Sequence, residues 1–250
     1  MAREIHCLLP GESTIYVGDT ARVPYGTKTP GQLLSYARDI VRFLLRQNVK
    51  AVVIACGTSS AVTYKKLKAD FPNLPLVDVI TPGVDWCANL VAKKPDLRLG
   101  LIATAATIKS GLFPALLKEK CPNTTLYARA CPLFAPMVEA GLPANHPAIT
   151  FAVDTYLADL QGKIDGLILG CTHYPLLTQA LSASLPNVDF INIGQATAKT
   201  AKEKLTQLNL LAGDGMPPTH KYFVTGPGKV FRTTGSVILG QPCIPEKLDI

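Results

Sequence analysis

The amino-acid sequence predicts an α/β protein with mainly parallel sheets. Three observations carry this. Short β-branched runs alternate with longer stretches of helical period. Many of the short runs are apolar throughout, as suits strands covered on both faces of a parallel sheet. The linkers are short, with no structureless stretch to serve as a hinge.

Strands are expected at residues 14–17, 51–55, 76–79, 99–103, 125–128, 166–169, 188–191 and 221–224. Between the first two, Leu33, Leu34, Ala37, Ile40, Val41, Leu44 and Leu45 form one apolar stripe at helical spacing. Ala180, Leu181 and Leu185 suggest a helix after Pro175, and residues 197–208 suggest another. The 250-residue length admits one large domain or two smaller ones. At 48% apolar and 17% charged residues, the chain is outside the disordered class. No apolar run approaches the roughly 18 to 20 residues of a membrane span. Residues 1–6 lack an apolar signal core, so no membrane partner and a cytoplasmic location are expected.

The net charge is +7, and all of the excess lies in the first half. Arg38, Arg42 and Arg46 share one face of the predicted helix, and Lys65, Lys66 and Lys68 crowd another segment. No aromatic, glycine-rich or zinc-finger pattern accompanies them. They read as solvated helix faces, and no nucleic-acid partner is expected. The seven cysteines include no Cys-x-x-Cys pair, which removes the main support for a metal site. Most should be small buried hydrophobes.

Two cysteines stand apart. The run Ala51-Val52-Val53-Ile54-Ala55-Cys56-Gly57-Thr58 is echoed by Gly166-Leu167-Ile168-Leu169-Gly170-Cys171-Thr172-His173. In each, an apolar strand ends in a small residue, then Cys, then Thr within two positions. Ligands of open α/β sheets bind beyond the carboxyl ends of the strands. Two related halves facing each other would place these thiols on opposite walls of one cleft. A thiolate on one side of a carbon can remove a proton while a thiol on the other side returns one, which inverts a stereocentre. His173, two residues beyond Cys171, is placed to tune that thiol.

Longer motifs sharpen the reading. Gly170-Cys171-Thr172-His173-Tyr174-Pro175-Leu176 resembles the second-cysteine motif of the glutamate racemases, within the aspartate/glutamate racemase family. The run from Gly18 to Lys28, with Pro24-Tyr25-Gly26, is similar to that family's substrate loop, and Ala55-Cys56-Gly57-Thr58-Ser59-Ser60-Ala61 to its first-cysteine motif. Thr107-Ile108-Lys109-Ser110-Gly111, the run from Cys131 to Glu139, and Phe223-Val224-Thr225-Gly226 follow in family order.

The resemblance implies two α/β domains related by a pseudo-twofold axis, with the site in the cleft between them. The boundaries expected are residues 1–80 plus 192–250 for the first domain and 81–191 for the second. It implies a cofactor-independent, metal-free racemase interconverting L- and D-glutamate for peptidoglycan synthesis. Cys56 would take the proton from D-glutamate and Cys171 from L-glutamate. Tyr25, Gly26, Gly57, Thr58, Thr172 and His173 would bind substrate, with Glu139 in support. A homodimer follows by analogy. Racemisation of another amino acid such as aspartate, or a binding role without turnover, are the alternatives.

The sequence departs from the family pattern in three places. The family opens on a strand with an Asp-Ser-Gly loop ahead of the segment Arg3-Glu4-Ile5, whereas this chain starts at Met1. Gly57 stands where the family has Asn, and Asn192-Ile193-Gly194 where many members have Asp-Ser. The expectations are unpaired strand edges in the first sheet and weak or absent racemisation by the 250-residue form.

Overall fold

Helix α1 (Ala2–Leu8) precedes strand β1 (Thr14–Gly18) in the computed structural model, which describes residues 1–213, 215 and 217–250. Then come α2 (Pro30–Arg46), β2 (Val52–Val53), α3 (Gly57–Asp70), β3 (Leu76–Val77) and α4 (Ile80–Lys93). The middle of the chain forms β4 (Leu99–Ala103), α5 (Ala105–Ser110), α6 (Leu112–Lys120), β5 (Leu126–Ala130), α7 (Phe134–Glu139), α8 (Pro147–Leu157), β6 (Gly166–Leu169), α9 (Thr178–Ser184) and β7 (Asp189–Asn192). The last part holds α10 (Ile193–Gln207), β8 (His220–Val224), α11 (Lys229–Leu239) and β9 (Glu246–Lys247). Every strand pairing among the described residues is parallel, as the apolar runs predicted.

The four-stranded sheet runs in the order β5-β4-β6-β7. Its central strands β4 and β6 are buried at every position, because helices cover both faces. The period of two sorts their side chains. Leu99, Leu101 and Ile168 pack with Ile80, Val84, Phe113 and Leu117, while Ile102, Leu167 and Leu169 pack with Phe134, Ile149, Val153 and Tyr174. This two-sided core holds the carboxyl end of β6, and with it Cys171, in place.

The other strands form two separate sheets, β1-β8-β9 and β2-β3. Among the described residues, each of β1 and β2 therefore has one strand neighbour and one unpaired edge. Both line a cavity of about 2120 Å³, together with apolar side chains such as Val41, Leu44 and Ile54. Helix α11 has no buried residue, and its Phe231, Thr234 and Ile238 border the same space. The expected unpaired edges are thus present.

All eight expected strands form, with shifted ends. The run at 51–55 pairs only through Val52–Val53, because the chain then turns into α3, although Ile54 N–H still donates to Val77 O at 2.8 Å. Helix α10 starts four residues before the expected 197, because Asn192 caps it by accepting from Gly194 N–H at 2.9 Å. Helix α1 and strand β9 lie outside the expected elements. In α2, Thr29 and Gln32 form a capping box, with Pro30 in the first turn. Leu33, Leu34, Val41 and Leu44 of its stripe are buried, and Leu45 is exposed. Arg38 pairs with Asp70 at 2.8 Å and Arg42 with Asp39 at 3.5 Å, consistent with a solvated face.

Candidate active site

The two strand-end cysteines open on this one cavity. Cys56 follows β2 and is the N-cap residue of α3. Cys171 follows β6 after Gly170 and leads into a 3₁₀ turn, Tyr174–Leu177. Tyr25, Gly26, Gly57, Thr58, Glu139, Thr172 and His173 line the same space. All nine residues singled out in the sequence are therefore brought together.

The wall at Cys56 is built by close approach. A Cβ at Gly57 would stand 3.1 Å from the Gly170 carbonyl oxygen and 3.3 Å from Thr107 Oγ1. Only a residue without a side chain lets the start of α3 meet the end of β6 this closely. Cys56 is exposed to the cavity yet ringed by protein. That burial pushes its thiol above the ordinary range, and the charge of Cys171 adds to the rise. The Ser59 backbone N–H and hydroxyl and the Thr58 N–H act the other way and favour the thiolate.

The wall at Cys171 is built by an imidazole relay. His173 Nδ1 lies 3.6 Å from Cys171 Sγ, and its Nε2 lies 3.2 Å from Glu139 Oε1. Burial works against the imidazolium, but the hydrogen bonds and charges of Cys171 and Glu139 outweigh it, and the His173 pKa rises to about 10. His173 is therefore charged at neutral pH.

The loop bearing Tyr25 and Gly26 is fastened at Asp19. Its carboxylate accepts from Tyr25 OH and, at 2.7 Å, from Thr225 OH, and lies 3.5 Å from Arg22 Nη1. The Arg22 guanidinium also stacks over Tyr36 at 4.4 Å. Burial, then the bond to Asp19, raises the Tyr25 pKa, so the phenol stays protonated as a donor. Sequence reading assigned no role to Asp19, Thr104 or Thr107. Asp19 lies in the run from Gly18 to Lys28 and Thr107 opens the run Thr107–Gly111, while the signal at Thr104 is that of a helix N-cap.

The remaining cysteines behave as packing or surface residues. Cys87, Cys131 and Cys243 are fully buried, Cys121 is partly buried and Cys7 is exposed, and all are free. Among the described residues no group of three or more potential ligands could hold a metal ion, and no helix is long and apolar enough to cross a membrane.

The fold is of the α/β class, with parallel sheets whose strand ends bring two thiols, Cys56 and Cys171, onto one cavity. The family model described as Asp/Glu/Hydantoin racemase matches residues 1–213. A glutamate racemase of Aquifex aeolicus is 41% identical over 237 residues, covering 95% of this chain and 88% of that protein. The solved glutamate racemase of Francisella tularensis in complex with D-glutamate superimposes with a TM-score of 0.89 at 33% identity, covering 99% of this chain and 92% of that one. A glutamate racemase isoform from Bacillus anthracis gives a TM-score of 0.91 at 34% identity, covering 100% and 92%. The chain belongs to the Asp/Glu/hydantoin racemase family and, as a racemase, is an isomerase.

Proposed function

We propose that this protein is a glutamate racemase that interconverts L- and D-glutamate by proton transfer at Cα between two cysteines. The observation that carries the proposal is the placing of Cys56 and Cys171 at strand ends on one cavity, with Gly57 against Gly170 between them. Cys56 in its thiolate form takes the α-proton of D-glutamate, and Cys171 delivers its own thiol proton to the opposite face. The reverse turnover starts with Cys171 as thiolate. One thiol and one thiolate enter and leave each cycle, so the proton count balances. The thiols supply both base and acid, so the reading requires no cofactor or metal.

The Tyr25–Gly26 turn and the hydroxyl of Thr172 offer donors suited to an amino-acid carboxylate. The His173 imidazolium, steadied by Glu139, adds a cation beside Cys171. The substrate assignment rests on relatives named glutamate racemase, one of them solved with D-glutamate. The division into residues 1–80 plus 192–250 and 81–191, a cytoplasmic location, a place in peptidoglycan synthesis and a homodimer belong to the same reading.

The test is glutamate racemisation in deuterated water, with Cα exchange followed by proton NMR. Wild type should exchange the α-proton and invert the centre. Cys56→Ser and Cys171→Ser should each abolish inversion while staying folded, because a serine hydroxyl is a far weaker acid at neutral pH. Cys87→Ser should keep most activity. Inversion at the wild-type rate by either cleft variant would end the two-thiol mechanism. The unpaired edges of β1 and β2 beside Cys56 favour a second reading, a member that binds without turnover. Saturable glutamate binding with no exchange would select it.

A further inference from the structure

Thr58 lies in the first turn of α3, directly after Cys56 and Gly57, whereas Thr104 is the N-cap residue of α5 and Thr107 lies in its first turn. These segments arise from different sheets, yet their three hydroxyls meet. Thr104 Oγ1 and Thr107 Oγ1 are 2.9 Å apart, Thr58 Oγ1 and Thr104 Oγ1 3.2 Å, and Thr58 Oγ1 and Thr107 Oγ1 3.4 Å. Thr58 and Thr107 are buried. Each hydroxyl has one proton to give, so the three can close a ring in which each donates once and accepts once. The only further hydrogen bond to any of the three in the described structure is the Thr107 N–H donating to Thr104 Oγ1, which caps α5.

The ring fits because position 57 is bare. The space a Cβ would claim there is bordered by Thr107 Oγ1 at 3.3 Å and Thr107 Cγ2 at 3.6 Å. Thr107 thus supports the first turn of α3 from below. That turn supplies the Thr58 and Ser59 N–H groups that favour the Cys56 thiolate.

We propose that Thr107 is a positioning residue for the racemisation: through the hydroxyl ring with Thr104 and Thr58 it fixes the first turn of α3 and so aims the Cys56 sulfur across the cleft. The proposal rests on the two-thiol reading. It assigns Thr107 no contact with substrate, only control of where Cys56 stands and how well its thiolate is held.

Thr107→Val keeps the shape and removes the hydroxyl, and Thr107→Ser keeps the hydroxyl. Two measurements on the full chain separate this proposal from the functional reading. The first is kcat and KM for glutamate in both directions. The second is the pH profile of Cys56 alkylation by iodoacetamide, read by peptide mass spectrometry, which needs no turnover. Thr107→Val should lower kcat about tenfold with KM changed less than about twofold, as misaiming by a fraction of an ångström would. Its Cys56 alkylation midpoint should move to higher pH, and Thr107→Ser should restore both values. Thr107→Val with wild-type kcat and an unmoved alkylation profile overturns the proposal, and so does failure of Thr107→Ser to rescue. If wild type shows no racemisation, the functional reading falls, while the alkylation profiles still decide whether Thr107 positions Cys56.

Discussion

Gly57→Ala adds one methyl group at the tightest point of the cleft. That methyl would stand 3.1 Å from the Gly170 carbonyl oxygen, where ordinary contact begins at 3.4 Å, so one wall must recede by about 0.3 Å. Gly170 cannot readily do so. Its N–H donates to Ile102 O at 2.8 Å, and its own missing Cβ would be 2.9 Å from that same oxygen. The start of α3 therefore moves, and Cys56 moves with it. A misplacement of about 1 Å costs on the order of 10²-fold in rate, so about 0.3 Å corresponds to a loss of roughly four-fold in kcat. Overpacking of about 1 kcal/mol roughly cancels the helix-propensity gain of about 1 kcal/mol from replacing glycine, so the melting temperature should hardly change. The assay is circular dichroism of glutamate racemisation in both directions, with a thermal melt alongside. Gly57→Asn, which restores the residue the family pattern has here, should be slower still. An alanine variant as fast as wild type, or an asparagine variant faster than it, would refute the view that close approach of α3 to Gly170 sets the geometry of Cys56.

Two further outcomes follow from the packing and the charges. Phe134 is fully buried and meets Tyr156 and Tyr174 edge-on at 5.4 and 5.3 Å. Phe134→Ala should cost about 3–5 kcal/mol and lower the melting temperature by roughly 10 °C in calorimetry; a fall under about 3 °C would mean the core refills the space. His6 on α1 stacks on His220 at 3.8 Å, and both rings reach Thr14 Oγ1 at 2.9 Å. Burial, then His220, then the N-terminal amine lower the His6 pKa from 6.5 to about 4. The folded value lies below the unfolded one, so this contribution is complete above pH 6.5 and is lost as pH falls towards 4. Discounted for its half-exposed ring, it is worth about 1 kcal/mol. The melting temperature should fall by roughly 2–4 °C across that window, and His6→Gln should lessen the slope, leaving the part due to His220, whose pKa burial also lowers; an equal slope in the variant would place the acid sensitivity elsewhere.

Legibility followed the physics of each signal. Strands β4 and β6 lie at the expected residues because both faces are covered, and burial on two sides writes an unbroken apolar run. Helix α2 was visible through its stripe, since one face meets the core and the other meets water. Helix α1 left little trace because it buries no residue. β9 is two exposed residues, too short for any period to register. The nine expected site residues were reachable because strand-end chemistry is local in sequence. The hydroxyl ring was not, because Thr58 and Thr107 are brought together only by the packing of α3 on α5. No local pattern encodes that meeting. Gly57 shows the same limit. As a letter it reads as a lost amide, and in three dimensions it is the condition for two walls to touch.

The two thiols are equivalent in the sequence echo and unlike in their surroundings. Cys56 has no ionisable partner from its own segment, and its thiolate is favoured by N–H groups at the start of a 14-residue helix. Cys171 enters only a four-residue 3₁₀ turn, a poor source of aligned dipoles, but has an imidazolium 3.6 Å away. A helix start keeps its polarity at any pH, whereas an imidazolium can lose its proton. The two directions of racemisation should therefore respond differently to alkaline pH. The direction that begins with Cys171 as thiolate loses its nearby cation as pH rises through about 10, the pKa of His173. The direction that begins with Cys56 has no such group to lose. The asymmetry comes from the residues just past the two cysteines, with Gly57 one position beyond Cys56 and His173 two positions beyond Cys171. At one and two positions beyond its thiol, the first copy has Gly57 and Thr58 where the second has Thr172 and His173. The first arrangement gives that space to close packing and the second to a charge, so a single repeated motif sets its two thiols in unlike surroundings.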